Sequence, residues 1–342
     1  EKIPLKYKGL YPWEIWISES QERMTLAVKP KNVKSVIQKF KKRGVEATII
    51  GKFTKQKKAI VKYNKTEVLN LDMNFLHEGY PKLQLKTKKP IYPVIKKNKH
   101  KKYSLINKLH KILSSQNIVT REFVANQYDH EVQGSSIIKP LQGTGKVFGN
   151  STAIKPIYND NKTISLSQSA FPQYSETDPY KMAACSINTA VKNLVVMGAN
   201  LKKIAILDNF CWCSSDDEGR LYELRKAAEA CYDYAVHYNT PFISGKDSMY
   251  NDFKGFNQKN NPIKISIPPT LLISSIGIVD KINHLTKITP EKNDAIYVLG
   301  ETHNELDKSQ YENFFSVKKT NIPNVNATKS LDLYKRFEKA NK

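Results

Sequence analysis

The chain has 342 residues, 40% of them hydrophobic, and a formal net charge of +23 at pH 7. A chain of this length can form two or three domains that bury about three-quarters of the unfolded surface. No apolar run approaches the ~20 residues of a membrane helix, no signal peptide opens the sequence, and the four cysteines lack zinc-site spacing, so we expect reduced thiols in a cytoplasmic protein without a membrane segment.

Residues 1–80 have the pattern of a small α+β unit. The spacing of apolar residues predicts a helix over 32–43, and Asn32 is a residue type that caps helix N-termini. His77 is interpreted as a linker residue without a catalytic role. Alternating apolar residues predict strands over 24–28, 47–50 and 59–63.

Residues 81–118 form a lysine-rich segment, with eleven lysines and no acidic residue between Lys82 and Lys111. The prolines and low apolar content predict a solvated linker with a short helix near 105–113. The charge also raises the alternative of an RNA-binding protein. Only six of the 55 basic residues are Arg, whose forked head group suits bases and phosphates, so a nucleic-acid partner is not expected.

Residues 119–285 have the pattern of an α/β domain. A helix is predicted over 178–197, because Asp178 can cap its N-terminus, Pro179 suits its first turn and Gly198 follows its last residue. Because residues typical of a helix start and of a helix end flank this segment, the sequence predicts both boundaries of the helix.

Two apolar strands of this domain lead into polar residues. The first runs from Lys203 to Asp208, and the second runs from Thr240 to Gly245. Between them, apolar residues recur at the 3.6-residue period of a helix over 216–238, which could carry the chain back across a sheet. We therefore expect Asp208 and Gly245 at neighbouring strand ends on one edge of the sheet.

Gly245 is followed by a cation, a carboxylate and a hydroxyl, in Lys246, Asp247 and Ser248. Glycine can adopt a positive φ and allows a phosphate to approach the backbone, and the three side chains suit phosphate and metal contacts. The alternative interpretation is a strand-to-turn junction with solvated charges, because short motifs often occur by chance.

Several sequence blocks resemble one enzyme family. The segments 203–213, 240–252 and 266–277 closely resemble the second half of the synthetase subunit of phosphoribosylformylglycinamidine synthase, of the aminoimidazole ribonucleotide synthetase-like superfamily. The segment 17–28, which contains Glu-Ser-Gln-Glu-Arg-Met, resembles a motif near the end of the family's first half. The segment 128–140 adds a further matching block.

The resemblance implies a reaction and a set of ligands. The family uses ATP, Mg²⁺ and glutamine-derived ammonia to convert formylglycinamide ribonucleotide to formylglycinamidine ribonucleotide in purine biosynthesis. No catalytic residue is assigned, because the family's catalytic histidines belong to a part that does not match this chain, and His130 is interpreted as structural. By match, ATP would contact Asp208 and Gly245, the metal would bind Asp247, and the ribonucleotide would contact Glu19, Ser20, Gln21 and Ser248.

The resemblance also implies a pseudo-symmetric α/β (α+β) fold of the aminoimidazole ribonucleotide synthetase type. The chain is expected to be an internal fragment, with the end of the first half and most of the second. Its implied partners are the missing N-terminal half and a glutaminase subunit or domain that supplies ammonia. The predicted domains are 1–80 (tail of the first half's C-terminal domain), 81–118 (linker), 119–285 (N-terminal-type domain of the second half) and 286–342 (start of an incomplete C-terminal domain with a strand near 294–299).

The sequence departs from the family pattern at three positions. Thr152 and Thr189 stand where family members carry carboxylates, which argues against an auxiliary nucleotide site even though Asn193 remains. Lys246 stands where many members have a metal-binding Asn, so either Asp247 substitutes or Lys246 contacts phosphate directly. The lost carboxylates leave a second interpretation open, in which the chain is a non-catalytic scaffold half of the enzyme.

Overall fold

The chain divides between Gln84 and Leu85 into two units. This division falls within the predicted lysine-rich linker, and the other predicted domain boundaries stay predictions. In the part of the chain that the structure describes, no helix is both long and apolar enough to cross a membrane. The computed structural model describes residues 2–19, 23–92, 103–127, 131–286, 290–315 and 320–341.

The first unit, residues 1–84, contains the helices and strands α1 (Pro12–Ile17), α2 (Val33–Lys42), β1 (Lys58–Tyr63), β2 (Thr66–Asp72) and α3 (Met73–Glu78). β1 and β2 form an antiparallel hairpin, which confirms the strand predicted over 59–63. Asn64 and Lys65 connect them with φ values of 49° and 69°. Two positive φ values give the tight turn whose twist matches that of paired strands.

Two other strands predicted in this unit are wrong. The segments 24–28 and 47–50 have no strand structure, because no described strand pairs with them and an extended segment needs a partner for its N–H and C=O groups. Helix α2 confirms the helix predicted over 32–43, but the side chain of Asn32 makes no capping hydrogen bond. None of the described residues of this unit is buried.

The second unit contains a longer series of elements. Its helices are α4 (Leu105–Leu113), α5 (Glu122–Ala125), α6 (Pro179–Val196), α7 (Glu218–Tyr238), α8 (Gln310–Phe314) and α9 (Ala327–Ala340). Its strands are β3 (Ser136–Ile138), β4 (Leu141–Gln142), β5 (Val147–Phe148), β6 (Ser151–Ile154), β7 (Thr163–Ala170), β8 (Ile204–Cys211), β9 (Phe242–Ser248), β10 (Asp252–Phe256), β11 (Pro262–Ser266) and β12 (Thr270–Val279).

Six of these strands form one mixed sheet in the order β3-β6-β7-β12-β8-β9. The neighbours pair antiparallel except β8 and β9, which are parallel. A parallel pair needs a crossover connection, and α7 provides it, as the periodicity over 216–238 predicts. β9 is the last strand of the sheet, so its outer edge is not paired with any described strand.

Helix α6 packs against β7 and β12 at short distance, because small residues line the sheet beneath it. The hydroxyl of Ser275 donates to the carbonyl oxygen of Ala190 in α6 at 3.0 Å. A Cβ at Gly277 would lie 2.9 Å from the Cβ of Ala199. With α7, this layer encloses the core, which includes Leu194 and Ile273, both fully buried.

The predicted ends of α6 are confirmed. The side chain of Asp178 accepts a hydrogen bond from the backbone N–H of Lys181 at 3.1 Å, and Pro179 is the first helical residue. Gly198, just past the end, has φ of +99°, a backbone conformation that favours glycine. Start and stop signals in the sequence therefore gave both boundaries.

The lysine-rich segment is only partly a solvated linker. Residues 82–89 are exposed and α4 confirms the helix predicted over 105–113, but Lys88 and Tyr92 contact α7. Lys88 donates its backbone N–H to the carbonyl oxygen of Glu218 at 3.0 Å. Burial and the buried carboxylate of Glu223 raise the pKa of Tyr92 above its ordinary range. The strand predicted over 294–299 is absent, since those residues pair with no described strand.

Candidate active site

The candidate site lies on the parallel pair β8 and β9. Asp208 of β8 is the direct register partner of Gly245 of β9. The strand, helix and strand pattern predicts this proximity, and the structure confirms it. The strand ends are predicted wrongly, because β8 continues to Cys211 and β9 to Ser248. Polar residues remain within β9 because an edge strand exposes them to water.

Position 245 requires a glycine because the space that a Cβ would need is already occupied. Its φ is not among the positive values, so the predicted left-handed backbone is not what this position needs. A Cβ built on Gly245 would lie 2.3 Å from Oδ1 of Asp208, far inside van der Waals contact. Glycine therefore allows the Asp208 carboxylate to lie directly against the backbone of β9.

Asp208 is bound to the backbone of the neighbouring strand. Its Oδ1 accepts a hydrogen bond from the backbone N–H of Lys246 at 3.2 Å. Partial burial raises the pKa of this carboxyl group, the Lys246 N–H opposes that rise, and the negative charge of Asp247 adds to it. A half-buried carboxylate beside an exposed strand is suited to contact a ligand that approaches the edge of the sheet.

The polar residues of β9 point to two faces, because side chains alternate along a strand. Asp208 is in register with Ile273, which is fully buried beneath the helices, so its carboxylate points to the helix-covered face. By alternation and register, Asp247 shares that face, whereas Lys246 and Ser248 point to the opposite one. Lys246 and Asp247 are exposed, so they approach a ligand from opposite sides of the edge strand.

Two residues around Ser248 were missed in the sequence. Trp212 donates its backbone N–H to the carbonyl oxygen of Ser248 at 2.8 Å, which joins the chain after β8 to the end of β9. The side chain of Asn251 hydrogen bonds to both the carbonyl and the hydroxyl of Ser248. Asparagine side chains often hydrogen bond to nearby backbone groups. The position of Asn251, three residues after Ser248, could therefore have indicated this contact.

Two family profiles match the chain. The AIR synthase related protein, C-terminal domain, matches residues 1–64, and the AIR synthase related protein, N-terminal domain, matches residues 149–271. Together the two matches account for more than half of the chain. The chain belongs to the AIR synthase related family. The second match contains β8 and β9, so the candidate site lies within a recognised domain of this family.

Known relatives agree with this assignment. The chain is 29% identical over 330 residues to phosphoribosylformylglycinamidine synthase subunit PurL of Methanopyrus kandleri. It is 30% identical over 326 residues to the PurL of Pyrococcus horikoshii. Each alignment covers 95% of this chain but 43% of the relative, so the chain spans less than half the length of the relatives it matches.

Solved structures show the same fold. The structure of PurLQS from Thermotoga maritima matches with a TM-score of 0.59 at 21% identity, covering 84% of this chain and 43% of that chain. T. maritima PurL complexed with AMPPCP also matches with a TM-score of 0.59 at 21% identity, over 84% of this chain and 44% of that chain. The mixed α/β architecture is therefore the AIR synthase type, which confirms the predicted fold class.

The predicted substrate residues of the first AIR synthase related domain are only partly described. Glu19 is exposed in the first unit. Ser20 and Gln21 lie outside the described residues, as does His130. The roles assigned to these residues by resemblance stay predictions, as do those of Asp208, Gly245, Asp247 and Ser248.

Two of the three positions that depart from the family pattern, Thr152 and Thr189, lie in β6 and α6. Asn193 donates its side-chain amide to the hydroxyl of Ser167 at 3.1 Å and accepts the hydroxyl of Ser151 at its backbone oxygen. Thr152 and Thr189 are half-buried. The side-chain amide of Asn193 therefore already has a hydrogen-bond partner in the protein. The absence of an auxiliary nucleotide site stays a prediction.

Proposed function

We propose that the chain is part of an ATP-dependent synthetase that converts formylglycinamide ribonucleotide to formylglycinamidine ribonucleotide in purine biosynthesis. The observation that carries this proposal is the pairing of Asp208 with Gly245 in a chain similar over 95% of its length to PurL proteins. Structures of T. maritima PurL complexed with ATP and with FGAR have the same fold and support it.

The chemistry requires activation of an amide. An amide oxygen is a poor leaving group, so ATP first transfers its γ-phosphoryl group to that oxygen and leaves as ADP. Ammonia then forms the new C–N bond at the same carbon, and phosphate departs with the oxygen. Charge on the transferred phosphoryl group is stabilised best by cations and backbone N–H groups that are already in position.

The residues on β9 suit these tasks. The exposed ammonium of Lys246 can neutralise phosphate charge, and Gly245 is exposed on the edge strand, where a phosphate can reach its backbone. Asp208 stiffens this segment because its carboxylate holds the Lys246 N–H. In this proposal Asp208 and Gly245 contact ATP, as the family resemblance implies.

The described residues fit a magnesium ion only if the phosphates of the nucleotide supply most of its ligands. Mg²⁺ usually takes one or two carboxylates together with phosphate oxygens and waters, and when bound it neutralises phosphate charge. Asp247 is exposed and can supply one carboxylate. The described part of the chain holds no group of three or more His, Cys, Asp or Glu that could form an all-protein site.

The proposal includes partners and a location. Glu19, Ser20, Gln21 and Ser248 would contact the ribonucleotide, and a glutaminase subunit or domain would supply ammonia. The structure of PurLQS from T. maritima, which has the same fold, supports the proposal that partner chains join it. We place the reaction in the cytoplasm, where the free thiols found at all four cysteines would stay reduced.

The test is ADP formation that depends on both formylglycinamide ribonucleotide and ammonium. We expect no activity from the 342-residue chain, and activity once the remaining part of the relatives' length is supplied, because positioning requires groups from both halves. Activity of the chain alone would overturn this dependence. No activity in the completed protein would overturn the catalytic proposal and favour the non-catalytic scaffold.

A single substitution tests the site itself. Gly245→Val in the completed protein should raise the KM for ATP about ten-fold or more, because the new side chain collides with the Asp208 carboxylate and crowds the phosphate approach. Gly51→Val is the control, since no atom lies within 4 Å of a Cβ at Gly51. Unchanged kinetics for Gly245→Val would make Gly245 a purely structural residue.

A further inference from the structure

Ser248 ends β9 at a point where the backbone is under strain. Tyr250, two residues later, has φ of 58°, a left-handed conformation that is unfavourable for a large aromatic residue. Such residues persist only where surrounding bonds hold them, and they concentrate at functional sites. The bonds that hold this turn therefore indicate which residues keep Ser248 in place.

Asn251 makes most of these bonds. Its Nδ2 donates to the carbonyl oxygen of Ser248 at 2.8 Å and lies 3.1 Å from the Ser248 hydroxyl. The hydroxyl in turn lies 3.2 Å from Oδ1 of Asn251, to which it can donate. One amide side chain thus contacts both the carbonyl oxygen and the hydroxyl of the serine that is predicted to bind substrate.

Asn251 is itself fixed at both ends of its backbone. Its N–H donates to the carbonyl oxygen of Trp212 at 3.0 Å, and its carbonyl accepts the N–H of Ile267 at 3.1 Å. The next residue, Asp252, accepts the backbone N–H of Ser214 at 3.0 Å. The amide is therefore anchored to the segment after β8 and to the segment before β12, and it cannot follow the serine if the serine moves.

We propose that Asn251 is a positioning residue of the candidate site, which fixes the direction of the Ser248 hydroxyl for the substrate. This inference rests on the proposed function, because the substrate role of Ser248 belongs to that proposal. Asn251 acts through Ser248 and need not contact the substrate. A hydroxyl held in one direction loses no rotational freedom when a ligand binds, so the contact becomes stronger.

The first measurement needs no ligand. In the 342-residue chain with isotope-labelled serine, the Hα–Hβ couplings of Ser248 should report one χ1 rotamer, and Asn251→Ala should give averaged couplings. Asn251→Asp keeps the acceptor oxygen and should restore a single rotamer in part. Asn257→Ala is the matched control, because Asn257 also accepts backbone N–H groups, from Lys259 and Asn261, but lies in the turn between β10 and β11.

The second measurement is the dissociation constant of formylglycinamide ribonucleotide for the completed protein. Asn251→Ala should weaken binding by up to about ten-fold, the order expected when one more side chain must be ordered on binding. Asn257→Ala should leave binding unchanged. In the Ser248→Ala background, Asn251→Ala should add little further loss, because its effect passes through the hydroxyl.

The outcomes separate the inference from the proposed function. Unchanged Ser248 couplings in folded Asn251→Ala would overturn the inference whatever the ligand does, as would an equal loss of affinity in the Ser248→Ala background. Averaged couplings in a protein that binds no ribonucleotide would uphold the positioning of the hydroxyl and overturn the proposed substrate. If Asn251→Ala does not fold, Asn251→Asp carries both measurements.

Discussion

The two units of the chain differ in what they bury. In residues 1–84, the described side chains all keep some exposure, and large apolar ones such as Trp13, Met24 and Phe53 are 62%, 87% and 91% exposed. In the second unit, α6 and α7 cover one face of the six-stranded sheet and enclose a core. Apolar residues are present in both units, so the difference lies in whether neighbouring elements cover them.

This comparison shows what an apolar pattern can specify. In the second unit, the pattern over 178–197 predicts a helix, and that helix, α6, packs on β7 and β12. The alternating segment 24–28 has no such neighbour among the described residues and forms no strand. A paired neighbour therefore decides which of the predicted strands form, whereas the predicted helix α2 forms in a unit where no described residue is buried, because a helix bonds its own backbone.

The largest contrast is expected for the same truncation in the two units. Leu194→Ala should lower the free energy of unfolding by about 2–5 kcal/mol, because Leu194 is fully buried and the change leaves a cavity. Leu26→Ala should cost under about 0.5 kcal/mol, since Leu26 is 55% exposed. Urea denaturation of both variants checks this pair, and equal losses would break the comparison.

A smaller contrast is expected for added methyl groups. Gly277→Ala should destabilise by about 1–3 kcal/mol, because the new Cβ would lie 2.9 Å from that of Ala199 and 3.2 Å from Leu194. Gly51→Ala meets no atom within 4 Å and should be neutral or slightly stabilising. Thermal melting followed by circular dichroism measures both, and a neutral Gly277→Ala would show that the layer beneath α6 has room to spare.

Helix caps give the next effect in size. Asp178→Ala should cost about 1 kcal/mol, because it removes the acceptor for the Lys181 N–H at the start of α6. Asn32→Ala should have almost no effect, because the Asn32 side chain makes no capping bond in α2. The check is the midpoint of denaturant unfolding, and an equal loss in the two variants would mean that Asn32 caps its helix after all.

The smallest effect is the pH dependence contributed by Glu223. Burial raises the pKa of this carboxyl group above its ordinary 4.5, and the attraction of Arg220 opposes the rise without cancelling it. The folded chain then binds a proton more readily than the unfolded chain, so this group makes stability increase as pH falls from neutral towards 4.5.

Glu223→Gln should remove that contribution, whereas Glu67→Gln, at an exposed position of the first unit, should keep the wild-type profile. The measurement is the unfolding free energy between pH 7 and about 4.5, the ordinary glutamate pKa. A Glu223→Gln profile parallel to that of the unchanged protein would show that the Arg220 ion pair leaves Glu223 fully ionised.

Local patterns and topology explain how much of the site could be predicted. Asp208 and Gly245 were expected to be neighbours because a strand, a crossover helix and a second strand bring equivalent positions together. The reason for Gly245 was missed, since its contact with Asp208 depends on side-chain directions across two strands. Asn251 was missed for a similar reason, because its anchors at Trp212 and Ile267 are distant in sequence.

The place of β9 at the end of the sheet also affects how copies of the chain meet. An unpaired strand edge offers N–H and C=O groups to any other extended chain, and this is a route to aggregation. Lys246 and Asp247 put opposite charges on the two faces of that edge. Charged side chains on an edge strand disfavour the addition of a strand from a second molecule, so we expect Lys246 and Asp247 to oppose association along the sheet, apart from their proposed role with a phosphate.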